Sequence, residues 1–427
     1  MARPVLKLPP EIWSLVFGYL SEEDKYSVRA CSKFFRKLAD HRSLWKDWSV
    51  VLGLRDSPYN GGFWASLRRR EVASVLLRGS KAKAWEQAAA LLPSLRTAVV
   101  EHCACAQLCS LEDVPNLTRL AFRSSRVHLL PDAAPGGRGP RQLTQLSMCD
   151  VTFPGAGANG LLFALAQLTN LTSLVCHHLG LSEDTTWMLH SILSCLPKLQ
   201  HLSLAIGQPG ALRPLHRPSP DRAAVLSSLE LIDCVGNALP ADLMRLTPGL
   251  KTLAVFHRHQ DMPRSRPAAA DSHHLRAWLR ELPRLSALVV AKGPPVRKYA
   301  ASIPATVTRL TLCVAGLSSE DVAVVAGRVP DLLHLHIDPW PSHLAGPTAQ
   351  IPQLFPKLRS LKLRCDHVPE RDLLQLRRLR DLRSLEILDG QTFTADKLRG
   401  LERPGLRVTT SRRRRDVWSC PCVSQVY

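Results

Sequence analysis

The sequence predicts an α/β protein in which a short helical segment precedes a solenoid of parallel strands and return helices. Two observations favour this class. The pattern Leu-x-x-Leu-x-apolar recurs along most of the chain, and self-similarity at a fixed short period is typical of repeat architectures. Residues 8–45 lack that pattern and instead place apolar residues at helical spacing.

The N-terminal segment predicts short amphipathic helices. Pro9 and Pro10 suit a first helical turn, and Glu11 lies near the positive end of the helix dipole. One apolar face then follows, made of Ile12, Leu15, Val16, Tyr19 and Leu20. Further apolar positions are Tyr26, Val28, Cys31, Phe34, Phe35, Leu38, Leu44 and Trp45. Because about 40 residues make only a small core, we expect this segment to complete its burial against another protein.

The repeats predict the strands. Copies of the pattern begin at Leu95, Leu117, Leu143, Leu171, Leu199, Leu226, Leu250, Leu285, Val307, Leu332, Leu358 and Leu382. Within each copy the two leucines and the final apolar residue point inward, while the residues between them point outward. Stacking such strands makes a parallel sheet.

Return helices are predicted between the strands. One runs from Ser182 or Asp184, the N-cap candidates, to a stop at Pro197. Prolines precede several copies at the same offset: Pro93, Pro115, Pro197, Pro283, Pro330 and Pro356. We therefore expect the array to curve into a horseshoe with the strands on its concave face.

The N-terminal residues resemble the F-box, a helical motif that docks on the Skp-type adaptor of cullin–RING ubiquitin ligases. The matching positions are Leu8, Pro9, Glu11, Ile12, Phe17, Tyr19, Leu20, Asp24, Leu38, Leu44 and Trp45. The chain departs from the family at Lys25, Ser32 and Phe35, where Leu, Cys and Trp are usual. The resemblance implies adaptor contacts from Leu8, Pro9, Glu11, Ile12, Val16, Phe17, Leu20, Phe35, Leu44 and Trp45.

The repeats resemble those of F-box/leucine-rich-repeat proteins. This resemblance implies a substrate-recognition subunit of an SCF (Skp–cullin–F-box) ubiquitin ligase, which holds a protein substrate near the charged conjugating enzyme. Its implied partners are the Skp-type adaptor, through it the cullin and RING subunits, and an unidentified substrate. The contribution to ubiquitin transfer would be proximity.

The strand register converts into candidate substrate contacts. The outward positions include Arg119, Arg123, His177, His201, Arg309, His334, His336, Asp338, Lys362 and Arg364. A basic, histidine-bearing face suits an acidic or phosphorylated partner. The alternative is a solvated face on a basic protein, and the sequence alone leaves both readings open.

The overall charge favours acidic partners. The chain has 56 Lys and Arg against 36 Asp and Glu, a formal net charge of +20. Aromatic residues are only 6% of the chain, which argues against the stacking platforms of single-strand nucleic-acid binders. The run Arg412–Arg415 suits a nuclear-import or phosphate-binding patch, or a solvated tail.

No cofactor, metal site or catalytic residue is predicted. The twelve cysteines are dispersed, and those at repeat positions (Cys103, Cys176, Cys234, Cys313) read as small core residues. The groups Cys103/Cys105/Cys109 and Cys420/Cys422 lack a second ligand pair at zinc spacing. Gly-rich phosphate loops, His-Glu-x-x-His and nucleophile elbows are missing, so the chain is predicted to be non-catalytic.

The predicted domains are an F-box at residues 1–50, a helical linker or cap at 51–91, about twelve leucine-rich repeats at 92–405 and a basic tail at 406–427. Three Pro/Gly/Arg-rich loops are predicted at 131–141, 207–222 and 257–271. The start of the chain is unlike a signal peptide and no run of about 20 apolar residues occurs, so we expect a soluble protein of the cytoplasm or nucleus. The alternatives are a repeat scaffold without a ligase role and a basic protein associated with nucleic acid.

Overall fold

A computed structural model describes most of the chain. The described residues are 8–45, 48–53, 59–79, 82–103, 106–107, 114–128, 142–155, 157–180, 186–205, 225–234, 241–257, 274–314, 316–339, 345–364, 368–388, 400–401 and 403–410. The chain divides into two compact units, one of Met1–Leu171 with Leu179–Leu181 and one of Thr172–His178 with Ser182–Tyr427.

The first unit begins with three helices, α1 (Pro10–Gly18), α2 (Glu22–Cys31) and α3 (Lys33–Ala39), and a 3-10 turn at Arg42–Leu44. Serine side chains start two of them. Ser21 Oγ accepts from the Asp24 backbone N–H at the start of α2, and Ser32 Oγ accepts from that of Phe35 at the start of α3. Such N-caps satisfy backbone donors that a helix leaves free. Ser32, a departure from the F-box pattern, therefore helps to form α3.

A parallel sheet follows in the same unit. Its strands in order are β1 (Ser49–Leu52), β2 (Ser74–Arg78), β3 (Thr97–Glu101), β5 (Arg119–His128) and β6 (Gln145–Thr152), while β4 (Ala106–Gln107) pairs with β5. Helices α4 (Gly61–Arg69), α5 (Ala82–Leu91) and α6 (Ala158–Ala166) lie between strands in the sequence.

The second unit repeats the design. Its strands are β7 (Ser173–His177), β8 (His201–Ala205), β9 (Ser228–Cys234), β10 (Thr252–His257), β11 (Ala287–Ala291), β12 (Arg309–Cys313), β13 (His334–Ile337), β14 (Ser360–Arg364), β15 (Ser384–Leu388) and β16 (Arg407–Thr410). Each pairs in parallel with the next. The helices are α7 (Thr186–Cys195), α8 (His274–Arg280), α9 (Ser319–Arg328), α10 (Ala345–Leu354) and α11 (Glu370–Leu374), with 3-10 turns at Ala241–Leu246, Val296–Lys298, Ala300–Ser302 and Gln375–Arg378.

The leucine pattern sets the register of the strands in both units. In all twelve copies found in the sequence, a strand begins two residues after the first leucine or valine. Both leucines of a copy are buried, as Leu285 and Leu288 illustrate. The prediction of an α/β fold with parallel strands at leucine-rich repeats is confirmed. The alternate strand positions define what we call the open face of each sheet.

The domain boundaries differ from the sequence prediction. Residues 51–91, predicted as a linker or cap, contain part of β1, all of β2 and helices α4 and α5. Both strands join the sheet, so the array starts before the first recognised repeat. The signal is weaker there because Val72 and Val75 stand where later copies have leucine. At the other end, β16 lies within the predicted tail.

A residue with left-handed backbone conformation recurs five residues after the start of several strands. His102, Ser124 and Asp150 in the first unit, and His178 and Lys292 in the second, have φ between +49° and +55° or, for Ser124, +44°. The corresponding residue after β2 is Gly79, with φ +59°. Glycine adopts this conformation without the steric cost that other residues bear. The backbone conformation at this position is therefore set by the repeat geometry more than by the residue type.

Helix α9 depends on a capping box. Ser318 Oγ accepts from the Asp321 backbone N–H, and Asp321 Oδ2 accepts from the Ser318 backbone N–H, both at 3.1 Å. We expect Ser318→Ala to destabilise α9 by about 1 kcal/mol, the usual effect of losing such a cap. Faster amide hydrogen exchange in α9 but not in α8 would check this, and unchanged exchange in α9 would contradict it.

Several predicted features lie outside the described residues: the loops 131–141, 207–222 and nearly all of 257–271, the N-cap candidates Ser182 and Asp184, and the C-terminal Arg412–Arg415, Cys420 and Cys422. Among the described helices, none has both the length and the apolar character that crossing a bilayer requires.

Candidate functional site

Helix α1 presents an apolar stripe to solvent. Ile12, Leu15, Val16 and Tyr19 recur at i, i+3, i+4 and i+7 and are all exposed, Leu15 by 60% and Tyr19 by 85%. Phe34 on α3 is exposed as well. Large apolar side chains grouped on one helix face are typical of a surface that another protein covers. The apolar face predicted from the helical spacing is therefore exposed to solvent, and none of the described residues covers it.

The opposite face of α1 holds the helices together. Phe17 is buried, and its ring centroid lies 5.8 Å from that of Trp13 and 5.6 Å from that of Phe35. Trp13 and Phe35 meet edge to face at 4.8 Å, a favourable arrangement for aromatic rings. Phe35, another departure from the F-box pattern, therefore packs α3 onto α1. Trp13 was not singled out in the sequence because it stands off the stripe.

A buried ion pair joins these helices to the repeats of the same unit. Asp40 Oδ1 accepts hydrogen bonds from Nε of Arg29 and Nε of Arg70, both at 2.9 Å. Arg70 is 2% exposed; its guanidinium lies 4.2 Å from the ring centroid of Trp45 and donates to Tyr26 Oη at 3.0 Å. Burial opposes ionisation of Asp40, but the two arginines overcome it and lower the pKa of this carboxyl.

Lys25 is buried between an aromatic ring and a backbone carbonyl group. Its Nζ lies 5.8 Å from the ring centroid of Trp45 and donates to the backbone carbonyl of Leu44 at 3.3 Å. A lysine stem can replace an apolar side chain when the ammonium reaches a polar partner. The substitution of Lys for the usual Leu is thus accommodated within the helical core.

Comparison with known protein families identifies this part of the chain. A family described as F-box-like matches residues 5–49. Residues 5–49 form an F-box-like domain. The match covers α1–α3 and the 3-10 turn, which carry both the exposed stripe and the buried aromatic contacts. The prediction of an F-box from Leu8 to Trp45 is confirmed.

Two other comparisons concern the whole chain. No curated protein matches its sequence. Among solved structures, the crystal structure of a TLR13–ssRNA13 complex matches with a TM-score of 0.39 and 13% sequence identity. The match covers 86% of this chain and 52% of the TLR13 chain, so this chain spans about half the length of that protein.

The predicted adaptor contacts of the F-box-like domain divide into three groups by exposure. Pro9, Glu11, Ile12 and Val16 are exposed, and Leu8, Leu20, Phe35 and Leu44 are half-buried. Phe17 and Trp45 are fully enclosed by the chain itself, so the prediction that they touch an adaptor needs correction. Phe17 packs against Trp13 and Phe35, and Trp45 packs against Tyr26 and the Arg70 guanidinium. Leu15 and Tyr19 were missing from the predicted contacts although their spacing places them on the stripe.

Arginines on the open face of the first unit form ion pairs within that unit. Arg123 Nη1 donates to Glu101 Oε1 at 2.9 Å, and Arg78 lies 3.2 Å from the other carboxylate oxygen of Glu101. Arg119 is half-buried on the same face. The sequence placed Arg119 and Arg123 on this face correctly, but Glu101 already balances the charge of Arg123.

The predicted histidines of β7 and β8 are also bonded within the second unit. His177 is fully buried, and its Nε2 lies 2.7 Å from Ser203 Oγ, which donates to Glu230 Oε2 at 2.7 Å. Because the single hydroxyl proton goes to Glu230, His177 Nε2 must be the donor to Ser203. His201 bonds Ser228 at 3.1 Å. Burial is the main cause that lowers the pKa of His201. His177 is therefore a buried structural residue, which corrects its assignment as a substrate contact.

An apolar group follows along the same open face. Ile232, Ala254, Phe256 and Ala291 are buried together, with Ala205, Val289 and Cys313 packed against them. Sequence reasoning treated outward positions as polar contacts and missed this group. Strand alternation predicts direction, but it does not predict whether an outward position is covered.

A charged network occupies β13–β15. Arg364 Nε donates to Asp338 Oδ1 at 2.7 Å, and Lys362 Nζ lies 3.2 Å from Glu386 Oε1. His336 is buried beside them; burial, and next the charge of Lys362, lowers its pKa to about 4. Lys362, Arg364 and His336 are thus next to one another on the open face, and both cations are matched by carboxylates.

Arg309 and His334 lie at the starts of β12 and β13, before the charged network. They occupy paired positions on β12 and β13, and Arg309 is exposed. Burial of His334 and the charges of Arg309 and Arg359 lower the pKa of His334. This edge of the open face therefore carries positive charge close to a neutral imidazole.

Proposed function

We propose that this chain is the substrate-recognition subunit of an SCF-type ubiquitin ligase. The observation that carries the proposal is the exposed stripe of Ile12, Leu15, Val16 and Tyr19 on an F-box-like domain. F-box domains bind Skp-type adaptors, and a helix face of this kind suits a groove on such a partner. The adaptor would then link the chain to the cullin and RING subunits.

The link between the F-box-like domain and the repeats of its own unit favours this role. Asp40, Arg70 and Trp45 fix the helices of the F-box-like domain to the repeats of its own unit. An adaptor bound to α1 would therefore hold that unit in a defined position. Ubiquitin transfer depends on bringing a substrate lysine close to the conjugating enzyme, so a fixed link raises its effective concentration.

Substrate recognition is proposed for the open faces of the repeats. Of the predicted contacts, Arg309 and His334 are the most available, because Arg123, Lys362 and Arg364 already contact carboxylates. Exposed arginine suits an acidic segment of a protein partner. The chain itself would perform no chemistry.

The test measures binding of the purified full-length chain to a purified Skp-type adaptor. We expect Leu15→Asp to weaken binding by about 100-fold or more, because the interface loses a buried leucine and must accept a charge. Since Leu15 is 60% exposed in the free chain, the variant should keep its thermal stability. Biolayer interferometry and circular dichroism give the two readouts.

Val324→Asp is the matched control. Val324 is 50% exposed on α9, outside the F-box-like domain, so this change adds the same charge to a similar helix surface. It should bind the adaptor like the unmodified chain. Equal affinities for the Leu15→Asp and Val324→Asp chains would refute the docking surface.

Cullin recovery separates the two candidate functions. If the adaptor binds and cullin co-purifies with the unmodified chain but not with Leu15→Asp, the ligase function is supported. If the folded chain binds no adaptor, the alternative of a repeat scaffold without a ligase role takes its place.

A further inference from the structure

Three different metal-binding side chains meet on the open face of the second unit. Cys313 is the last residue of β12, His336 lies on β13, and Asp338 directly follows β13. One ligand atom from each lies within 4.8 Å of the other two. The backbone fixes this arrangement, because the Asp338 N–H donates to the carbonyl of Leu312, next to Cys313, at 3.0 Å.

The donor set suits zinc. A thiolate, an imidazole and a carboxylate are the three protein ligand types of this ion, which binds sulfur at about 2.3 Å and nitrogen or oxygen at about 2.0–2.2 Å. Ligand atoms around one tetrahedral zinc are therefore about 3.3–3.8 Å apart. The ligand atoms of Cys313, His336 and Asp338 already lie within 4.8 Å of one another, so small side-chain rotations would bring them around one ion. Harder ions such as Mg²⁺ and Ca²⁺ prefer oxygen ligands only.

One side of this cluster is apolar and the other side carries charged residues. Cys313 packs against the apolar group that contains Phe256 and Ala291. On the other side, Arg364 bonds Asp338, as outer partners of metal-bound carboxylates commonly do. The Lys362 ammonium lies against Glu386. Each nearby cation therefore already has a carboxylate partner.

We propose that Cys313, His336 and Asp338 bind one Zn²⁺ ion, with a fourth coordination position open to solvent. Their atoms converge although the residues are separated by 23 and 25 positions in the sequence, a spacing that no short zinc motif describes. The repeat register brings them together. The site is independent of the F-box-like domain and of adaptor binding.

The test is a titration of the full-length, metal-free chain with Co²⁺ in the presence of a non-coordinating reductant. Cobalt bound to thiolate absorbs in the near ultraviolet, and this band should appear up to one equivalent and disappear when Zn²⁺ is added. We expect the Cys313→Ser chain to lack that band. His336→Asn should weaken cobalt binding at least 10-fold.

Cys195→Ser serves as the matched control, because it removes a half-buried thiol from α7, away from the cluster. It should leave the band unchanged. Thermal unfolding with a chelator present shows whether each variant is folded. If Cys313→Ser does not fold, the His336→Asn chain decides the question. The absence of a band from the unmodified chain, or an unchanged band in either ligand variant, would overturn the proposal.

Discussion

Asp40→Ala is expected to lower the free energy of unfolding of the first unit by about 3–5 kcal/mol, the usual effect of leaving one partner of a buried ion pair alone. Asp40 is 6% exposed and receives hydrogen bonds from Arg29 and Arg70. Without it, the Arg70 guanidinium stays enclosed against Trp45 with no carboxylate. Hydrogen exchange measured by mass spectrometry should show faster exchange in α2, α3 and α4.

The effect of Asp40 should depend on pH in a defined direction. The pKa of its carboxyl is lower in the folded chain than its ordinary value of 3.8. Its contribution to stability is therefore complete above that ordinary value and is lost as the pH falls through the folded pKa. The stability difference between the unmodified chain and Asp40→Ala should be constant near pH 7 and should shrink below pH 3.8.

Glu71→Ala is the control for this prediction. Glu71 pairs with Arg42 at 3.1 Å in the same unit, but both side chains are more than half exposed. Exposed pairs contribute only about 0–1 kcal/mol. Similar exchange rates in the Asp40→Ala and Glu71→Ala chains would show that burial of Asp40 does not anchor the helices.

Trp278→Ala should destabilise the second unit by about 3–5 kcal/mol, as large aromatic truncations in cores commonly do. Trp278 is completely buried on α8, and its ring lies 4.6 Å from that of His274. Alanine would leave a cavity in the space that the buried indole fills. Because the chain has nine tryptophans, hydrogen exchange in α8 and β11 reports this effect more specifically than fluorescence.

Trp278→Phe separates packing from polarity. The Trp278 Nε1 donor is buried without a hydrogen-bond partner in the described part of the chain. Phenylalanine keeps much of the ring volume and removes this unsatisfied donor, whose burial costs about 1–3 kcal/mol. We therefore expect a loss below about 1.5 kcal/mol for this variant. An equal loss for Trp278→Phe and Trp278→Ala would contradict the packing explanation.

The proposed metal site depends on contacts between repeats, which the sequence of a single repeat does not predict. The spacing within each repeat predicts its inward residues, and it predicts a core position for Cys313 because this residue stands at a recurring position. The register of β12 and β13 instead places it on the open face beside His336 and Asp338. Contacts across strands depend on which repeats are adjacent and on their offset, neither of which a single repeat encodes.

The sequence by itself determined the elements that depend on local spacing. These are the exposed stripe on α1, at i, i+3, i+4 and i+7, and the twelve strands that begin two residues after each leading leucine or valine. Both follow from the fixed geometry of a helix and of a pleated strand.

Only the tertiary structure decided which side chains are exposed and unpaired enough to contact another molecule, and which are enclosed or paired within the chain. It enclosed Phe17, Trp45 and His177, paired Asp40 with Arg70 across 30 residues, and brought the thiol of Cys313 to His336. Burial and ion pairing arise between segments that are distant in the chain. A local sequence pattern therefore predicts which way a side chain points but not which residues it contacts.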